Sequence, residues 1–309
     1  MKKLFLKAVS IAIVLLLSAC KEDVEIFPDD SLEQTSGAID DAIIQSESEQ
    51  LVEEANRLLA GVSGFNGGKI TELPGVCGGT VEWSDTTEKK ITVVFDGSTD
   101  CLGRKRWGKI LVELKDSLTW ESPLASAVIY FTDYKVARAD EKSITINGTQ
   151  TVINEIGFTV DDLDAGITEN LIYIIRGEKQ ITFDNGKTCT WYSALRRLVT
   201  KIGSDYSIEL SGDTILGNLD NVAVWGDNRN GKYFYSQIIE PIHINSCASS
   251  TPGWIAVSGK KTHKGSARET SITFGVDQSG NAINTCEAYG YLVNWTNLEA
   301  ETEQIVVRY

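Results

Sequence analysis

From Thr80 onward the chain repeats one pattern. Short runs rich in β-branched and aromatic residues, such as "KKITVVF", "GKILVEL", "SAVIYFTDYKV", "NLIYIIR", "KYFYSQIIEPIHI" and "TSITFGV", follow one another with little between them. Runs of this length and composition predict strands. The connectors "DGSTD", "DNGK", "DNRNGK" and "DQSGN" carry the Gly, Asn and Asp that tight hairpins require. No long helical period separates the runs, so consecutive strands pair antiparallel. The expectation for residues 77–309 is an all-β domain, an antiparallel sandwich or strongly curled sheets. A division into two packed halves, about 77–200 and 201–309, is left open. Upstream, Leu51, Ala55, Leu58 and Leu59 recur at helical spacing before Gly61. They predict a short helix from about 48 to 60, followed by a Gly-rich linker to 76. "QSESEQ" interrupts the apolar period before it, so residues 20–47 read as an acidic flexible tether.

The first residues follow a different rule. Lys2, Lys3 and Lys7 precede an apolar run from Ala8 to Leu17, broken only by Ser10. This is the layout of a secretory signal peptide, expected over residues 1–19. Its end, Leu17-Ser18-Ala19-Cys20, resembles the bacterial lipobox. The resemblance implies cleavage before Cys20, a diacylglycerol thioether on its thiol and acylation of the new amine. Two or more acyl chains give stable anchoring, at about 0.8 kcal/mol per buried methylene. The next residues, Lys21, Glu22 and Asp23, look like the lysine-plus-acidic tract that marks surface-exported lipoproteins in Bacteroidota. The location so implied is the outer membrane, lipid-anchored and facing the cell exterior.

Charge narrows the partners. The formal net charge is −14, which argues against nucleic acid and against adhesion to anionic headgroups other than through the anchor. There are two histidines. His243 lies in "PIHIN", His263 in what reads as the basic turn "GKKTHKG", and no Cys-x-x-Cys occurs, so neither a metal nor another cofactor is expected. "GDNRNGKY" (Gly226–Tyr233) nearly fits a phosphate loop, but Tyr233 replaces the terminal hydroxyl and a strand follows where a helix is needed. It reads as a hairpin turn. Asp161, Asp162 and Asp164 miss the EF-hand spacing and read as solvated loop acids. Tyr233 and Tyr235 share a strand face opposite Phe234, and Trp107, Trp191, Trp225 and Trp254 sit at strand or turn edges. Such aromatics, if exposed, would stack on sugars or receive a protein partner.

Of the six cysteines, five besides Cys20 remain to be placed. "ITVVFDGSTDC", "QITFDNGKTC" and "SITFGVDQSGNAINTC" share one plan: a strand ending in Phe95, Phe183 or Phe274, a turn, then Cys101, Cys189 or Cys286. Cys101 and Cys286 each have an upstream cysteine at a comparable strand start, Cys77 and Cys247, while Cys189 has none. In an oxidising envelope this predicts Cys77–Cys101 and Cys247–Cys286, with Cys189 a free, buried thiol inside a strand. The succession "CGGTVEW…ITVVFDGSTDCLGRKRWGKILVEL", "VIYFTDYKV", "GTQTVIN", "ITFDNGKTCTW", "GKYFYSQIIEPI" and "WIAVSGKKT…ITFG…C" resembles a group of uncharacterised Bacteroidota lipoproteins over most of Cys77 to Trp295. Cys189 departs from that group's pattern, in which the strand after the turn lacks a thiol. The expected function is a non-catalytic binding or scaffolding module, touching the membrane through its lipid and taking a glycan or an outer-membrane protein as partner. The alternative is a hydrolase of extracellular polymer, which would need a cleft with two facing carboxylates.

Overall fold

The computed structural model describes residues 30–61, 76–85, 89–101, 104–115, 119–138, 142–247, 254–265, 269–297 and 300–309. The expectations for the signal peptide, for Cys20 and for Lys21, Glu22 and Asp23 lie outside the described residues. The chain begins with helix α1 (Asp30–Gly61). Strands β1 (Gly79–Asp85), β2 (Lys90–Asp100), β3 (Lys105–Leu114), β4 (Ala125–Ala137) and β5 (Ser143–Asn154) follow. After a one-turn helix, α2 (Val160–Asp164), come β6 (Asn170–Phe183), β7 (Thr188–Ile202), β8 (Asp205–Gly212), β9 (Thr214–Leu216) and β10 (Leu219–Asp227). The chain ends with β11 (Tyr233–Ser246), β12 (Trp254–Lys264), β13 (Glu269–Val276), β14 (Gly290–Thr296) and β15 (Thr302–Arg308). The all-β expectation holds.

The described strands form one antiparallel sheet. β1 to β7 add in chain order as a meander. At β7 the sheet forks: Thr190–Ser193 pair with β10, and Leu195–Ile202 pair with β8. β11 rejoins the branches, Tyr233–Gln237 along β10 and Ile242–Asn245 along β8. β12 to β15 then resume the meander, so a single hydrogen-bonded path crosses residue 200. Along most strands buried positions alternate with half-buried ones: β5 and β6 do so over nearly their whole length. The buried face looks inward, and the other carries Thr, Lys and Glu toward solvent.

The sheet curls, and bulges let it. The β3–β4 register shifts between Trp107 and Lys109, and the β4–β5 register between Phe131 and Tyr134. Gly108 stands at the first shift with φ +90°, where a Cβ would come 2.1 Å from the Asp133 carbonyl oxygen. Gly148 stands at the second, with φ +129° and 2.2 Å to the Glu178 carbonyl oxygen. Only glycine allows that approach, and each bulge adds local twist.

Helix α1 fills the space the curl encloses. Its side chains meet β3, β6, β7, β11 and β12 and the β10–β11 turn, on different sides of the helix. It starts at Asp30, not near 48, and much of the predicted tether is therefore helix. Ala38, Ala42, Ile44, Leu51, Val52, Ala55, Leu58 and Leu59 join the main hydrophobic core. Asp41, Gln45, Glu47, Ser48, Glu54 and Asn56 are buried too. Among its described side chains only Ser46 and Arg57 are exposed, so the helix has little solvent face to mark it as amphipathic, and its polar positions look like a tether when read alone. Burial of Ile44, Leu51, Val52, Leu58 and Leu59 contributes about 1.5–3 kcal/mol each. Desolvating each buried carboxylate costs several kcal/mol. The two terms are similar in size, so the helix seats only where the sheet offers it matching cations.

Both expected disulfides are present. Cys77–Cys101, with Cα atoms 5.8 Å apart, ties the entry to β1 to the end of β2. Cys247–Cys286, at 5.6 Å, ties the end of β11 to the loop between β13 and β14. Their sequence separations, 24 and 39, correspond to about 3–4 kcal/mol each in the chain-entropy treatment. Cys189 lies near the start of β7, buried and free.

Candidate functional site

Asp41 is the centre of the first polar cluster. Ser236, inward on β11, donates to its Oδ2 at 2.6 Å, and Lys261 on β12 reaches the same oxygen at 2.9 Å. Trp191 Nε1 donates to Oδ1 at 3.4 Å, and Lys261 also donates to Gln45 one turn on, at 2.8 Å. Burial by itself would raise the Asp41 carboxyl. The Lys261 ammonium and then His263 override it and hold it well below the usual carboxylate range. Next door, Arg229 of the β10–β11 turn donates from Nε to Asp40 at 2.7 Å and lies over the Phe183 ring at 3.9 Å. "GDNRNGKY" is thus a hairpin whose arginine clasps the helix.

His263 is not in a turn. It lies in β12, 2% exposed, stacked on Phe234 with centroids 5.0 Å apart. The basic look of "GKKTHK" misled: Lys261 and His263 point inward to Asp41, while Lys264 points out. Ser236 Oγ lies 3.0 Å from His263 Nδ1, and Asp41 Oδ2 lies 3.7 Å from the same nitrogen. Because the Ser236 proton is given to Asp41, His263 Nδ1–H is the donor to Ser236. A hydrolytic triad places serine and acid on opposite ring nitrogens. Here both sit at Nδ1, and the helix backbone at Gly37 is close to Nε2, with 3.1 Å left for a Cβ. The cluster is a lock between helix and sheet.

Further along α1 the pairing continues with arginines. Arg104 donates to Gln50 at 2.6 Å and lies 3.4 Å from Glu47. Arg106 holds both Glu54 oxygens at 2.9 Å, and Arg197 holds Glu53 at 2.5 Å. Lys179 donates to Ser48 at 2.8 Å and to Gln150, with the Phe131 and Trp191 rings 5.1 and 4.9 Å away. Burial brings Lys179 down to about 7.

Beside this half of the helix lies a cavity of about 360 Å³, within the usual range for small-molecule sites. Ile208 and Leu210 of β8, Ile242 and Ile244 of β11 and Trp254 of β12 give it an apolar wall. The opposite wall is α1 with Glu49, Glu53 and Glu54, and Arg104, Arg138 and Arg197 close it. Both Glu49 oxygens are shut off from solvent without a hydrogen-bond partner, as are Arg197 Nε and Nη1 and the Tyr291 hydroxyl, all on residues lining the cavity. Burial raises the Glu49 carboxyl above its ordinary range, against the pull of Arg197 and Lys179.

The other sequence candidates do not converge here. Trp191 is core, and Trp254 lines the cavity. Trp107 lies near Lys135, 5.6 Å from ring to ammonium. Tyr192, Trp225 and Tyr235 stand opposite one another across β7, β10 and β11 on the outer face, the first two stacked at 5.9 Å. Asp162 accepts from the Thr159 backbone N–H at 2.8 Å and caps α2, while Asp164 binds Lys201 and the Tyr206 hydroxyl, each at 2.7 Å. Among the described residues no group of three His, Cys, Asp or Glu is placed to hold a metal. The Cys189 thiol is pushed up to about 12, chiefly by burial, too high for a nucleophile. Sequence reasoning missed the cavity because its polar residues stand on the short predicted helix, on the segment before it read as tether and at isolated strand positions.

Fold and site define a curled antiparallel sheet wrapped on a polar helix, with an amphipathic cavity between them. Compared with protein-family models, curated proteins and solved structures, the chain matches nothing.

Proposed function

We propose that this protein is a non-catalytic binding module, lipid-anchored through Cys20 to the outer membrane and facing the cell exterior, whose ligand enters the cavity beside α1. The observation that carries the binding reading is the cavity, apolar on the sheet side and bordered by buried polar atoms without partners. Polymer hydrolysis would need carboxylates free to act as acid and base, whereas Glu53 and Glu54 are each tied to an arginine. The anchor rests on the Leu17–Cys20 sequence and the orientation on Lys21, Glu22 and Asp23. Clickable palmitate should label the wild type and not Cys20→Ser, and protease added to intact cells should digest the wild type. Alanine at 21, 22 and 23 should protect it. Undiminished labelling of Cys20→Ser contradicts the anchor, and equal protection of both forms contradicts the exterior location.

A further inference from the structure

We propose, resting on that binding role, that the cavity takes a small anionic amphiphile: a monocarboxylate with an aliphatic body. Its carboxylate meets the Arg138 guanidinium, and its chain lies along the wall made by Ile208, Leu210, Ile242 and Ile244.

Charge complementarity chooses the head group. In the cavity wall and directly behind it stand four guanidinium groups, on Arg104, Arg106, Arg138 and Arg197, against four carboxyls, on Glu47, Glu49, Glu53 and Glu54, while Arg57 is half exposed. Glu47, Glu53 and Glu54 are each engaged by an arginine. Arg138 has no ion pair or side-chain hydrogen bond among the described residues, and Glu49 is held toward its neutral form. A chain of net charge −14 thus keeps an arginine without a counter-ion in the cavity wall. A cationic ligand would meet this excess unpaired, at the cost that buried unmatched charge carries. A carboxylate is matched by it.

Hydrogen bonding points the same way. Arg197 Nη2 is spent on Glu53 and its Nε and Nη1 are shut off from the cavity, so the donors left for a ligand are those of Arg138. The Arg138 guanidinium, a planar fork of N–H donors with no acceptor, suits an acceptor-only group. The wall from β8 and β11 is aliphatic, its paired residues Leu210 and Ile242, and Ile208 and Ile244, adjacent in the sheet. That surface favours methylenes over sugar hydroxyls.

The test uses the full chain carrying Cys20→Ser and three probes with one chain length: dodecanoate, dodecanol and dodecylammonium. Calorimetry reads stoichiometry and affinity, and Trp254 emission reports entry to the cavity. Dodecanoate should bind one to one, dodecanol about tenfold or more weakly, as loss of a charge-assisted hydrogen bond implies, and dodecylammonium not at all. Arg138→Gln should weaken dodecanoate and leave dodecanol unchanged. Ala256→Trp, which fills the cavity, should abolish binding; Leu210→Phe serves if that variant does not fold. If dodecanol or dodecylammonium binds as tightly as dodecanoate and the filled variant loses it, the anionic assignment falls while the binding role stands. If no probe binds, or binding survives in the filled variant, the cavity is not a site for such molecules and both fall.

Discussion

Around Asp41 the buried Gln45, Trp191, Ser236 and Lys261 side chains each have a partner, whereas two turns further along the same helix both Glu49 oxygens have none, nor do Arg197 Nε and Nη1. Both regions set helix carboxyls against cations of the sheet. In the first, Lys261, Ser236 and Trp191 converge on one carboxylate. In the second, the arginines bind Glu47, Glu53 and Glu54 and leave Glu49 beside a cavity. The same chemistry thus gives a closed lock where packing is complete and an unfilled recognition surface where the wall stands off. The contrast assigns stability to one end of the helix and ligand binding to the other.

Breaking the lock should have the largest effect. Asp41→Ala leaves Lys261 buried without its counter-ion and is expected to cost about 3–5 kcal/mol, read by urea denaturation. A loss below 1 kcal/mol would mean that the cluster contributes little. Next come the disulfides: Cys77→Ser with Cys101→Ser, at the cavity end, should cost about 3 kcal/mol in the same assay. Cys189→Ser should leave the peptide map of both disulfides unchanged.

Acid should separate the regions more finely. The Asp41 carboxyl titrates lower in the fold than its unfolded value of about 3.9. Its contribution is therefore fully present above that value and is lost as pH falls toward the folded pKa, where the unfolded chain binds more protons. Between about pH 4 and 2 the wild type should lose up to about 1.4 kcal/mol per pH unit more than Asp41→Asn. Parallel profiles would contradict the assignment. Glu49 has the opposite sign, its pKa being raised, so its contribution is present at low pH and lost as pH rises through the folded value. Glu49→Leu removes a buried carboxyl without a partner and should change stability least, by about 1 kcal/mol or less and toward stabilisation. Strong destabilisation would show that Glu49 is structurally engaged.

What could be read from the sequence followed from local rules. Strand alternation and turn residues predicted the antiparallel sheet, and the Phe–turn–Cys echo predicted which cysteines pair. Helix α1 was half legible: Leu51, Ala55, Leu58 and Leu59 keep the apolar period, but Gln45, Glu47 and Ser48 break it. Their reason to be buried lies in Lys261, Arg104 and Lys179, more than fifty residues away in sequence. Long-range ion matching leaves no local period, and the same holds for Lys261 and His263, whose basic stretch resembles a solvated turn. Glu49 and Arg197 carried no signal at all, because what distinguishes them is a missing partner, visible only in three dimensions.

Native-state hydrogen exchange along α1 tests most directly whether this polar segment is the centre of the fold. The backbone amides from Ala42 to Leu59 should exchange only through global unfolding, with the same free energy as the central strands β6 and β7. Exchange in that segment at the rate of an unstructured tether, while β6 and β7 stay protected, would contradict it.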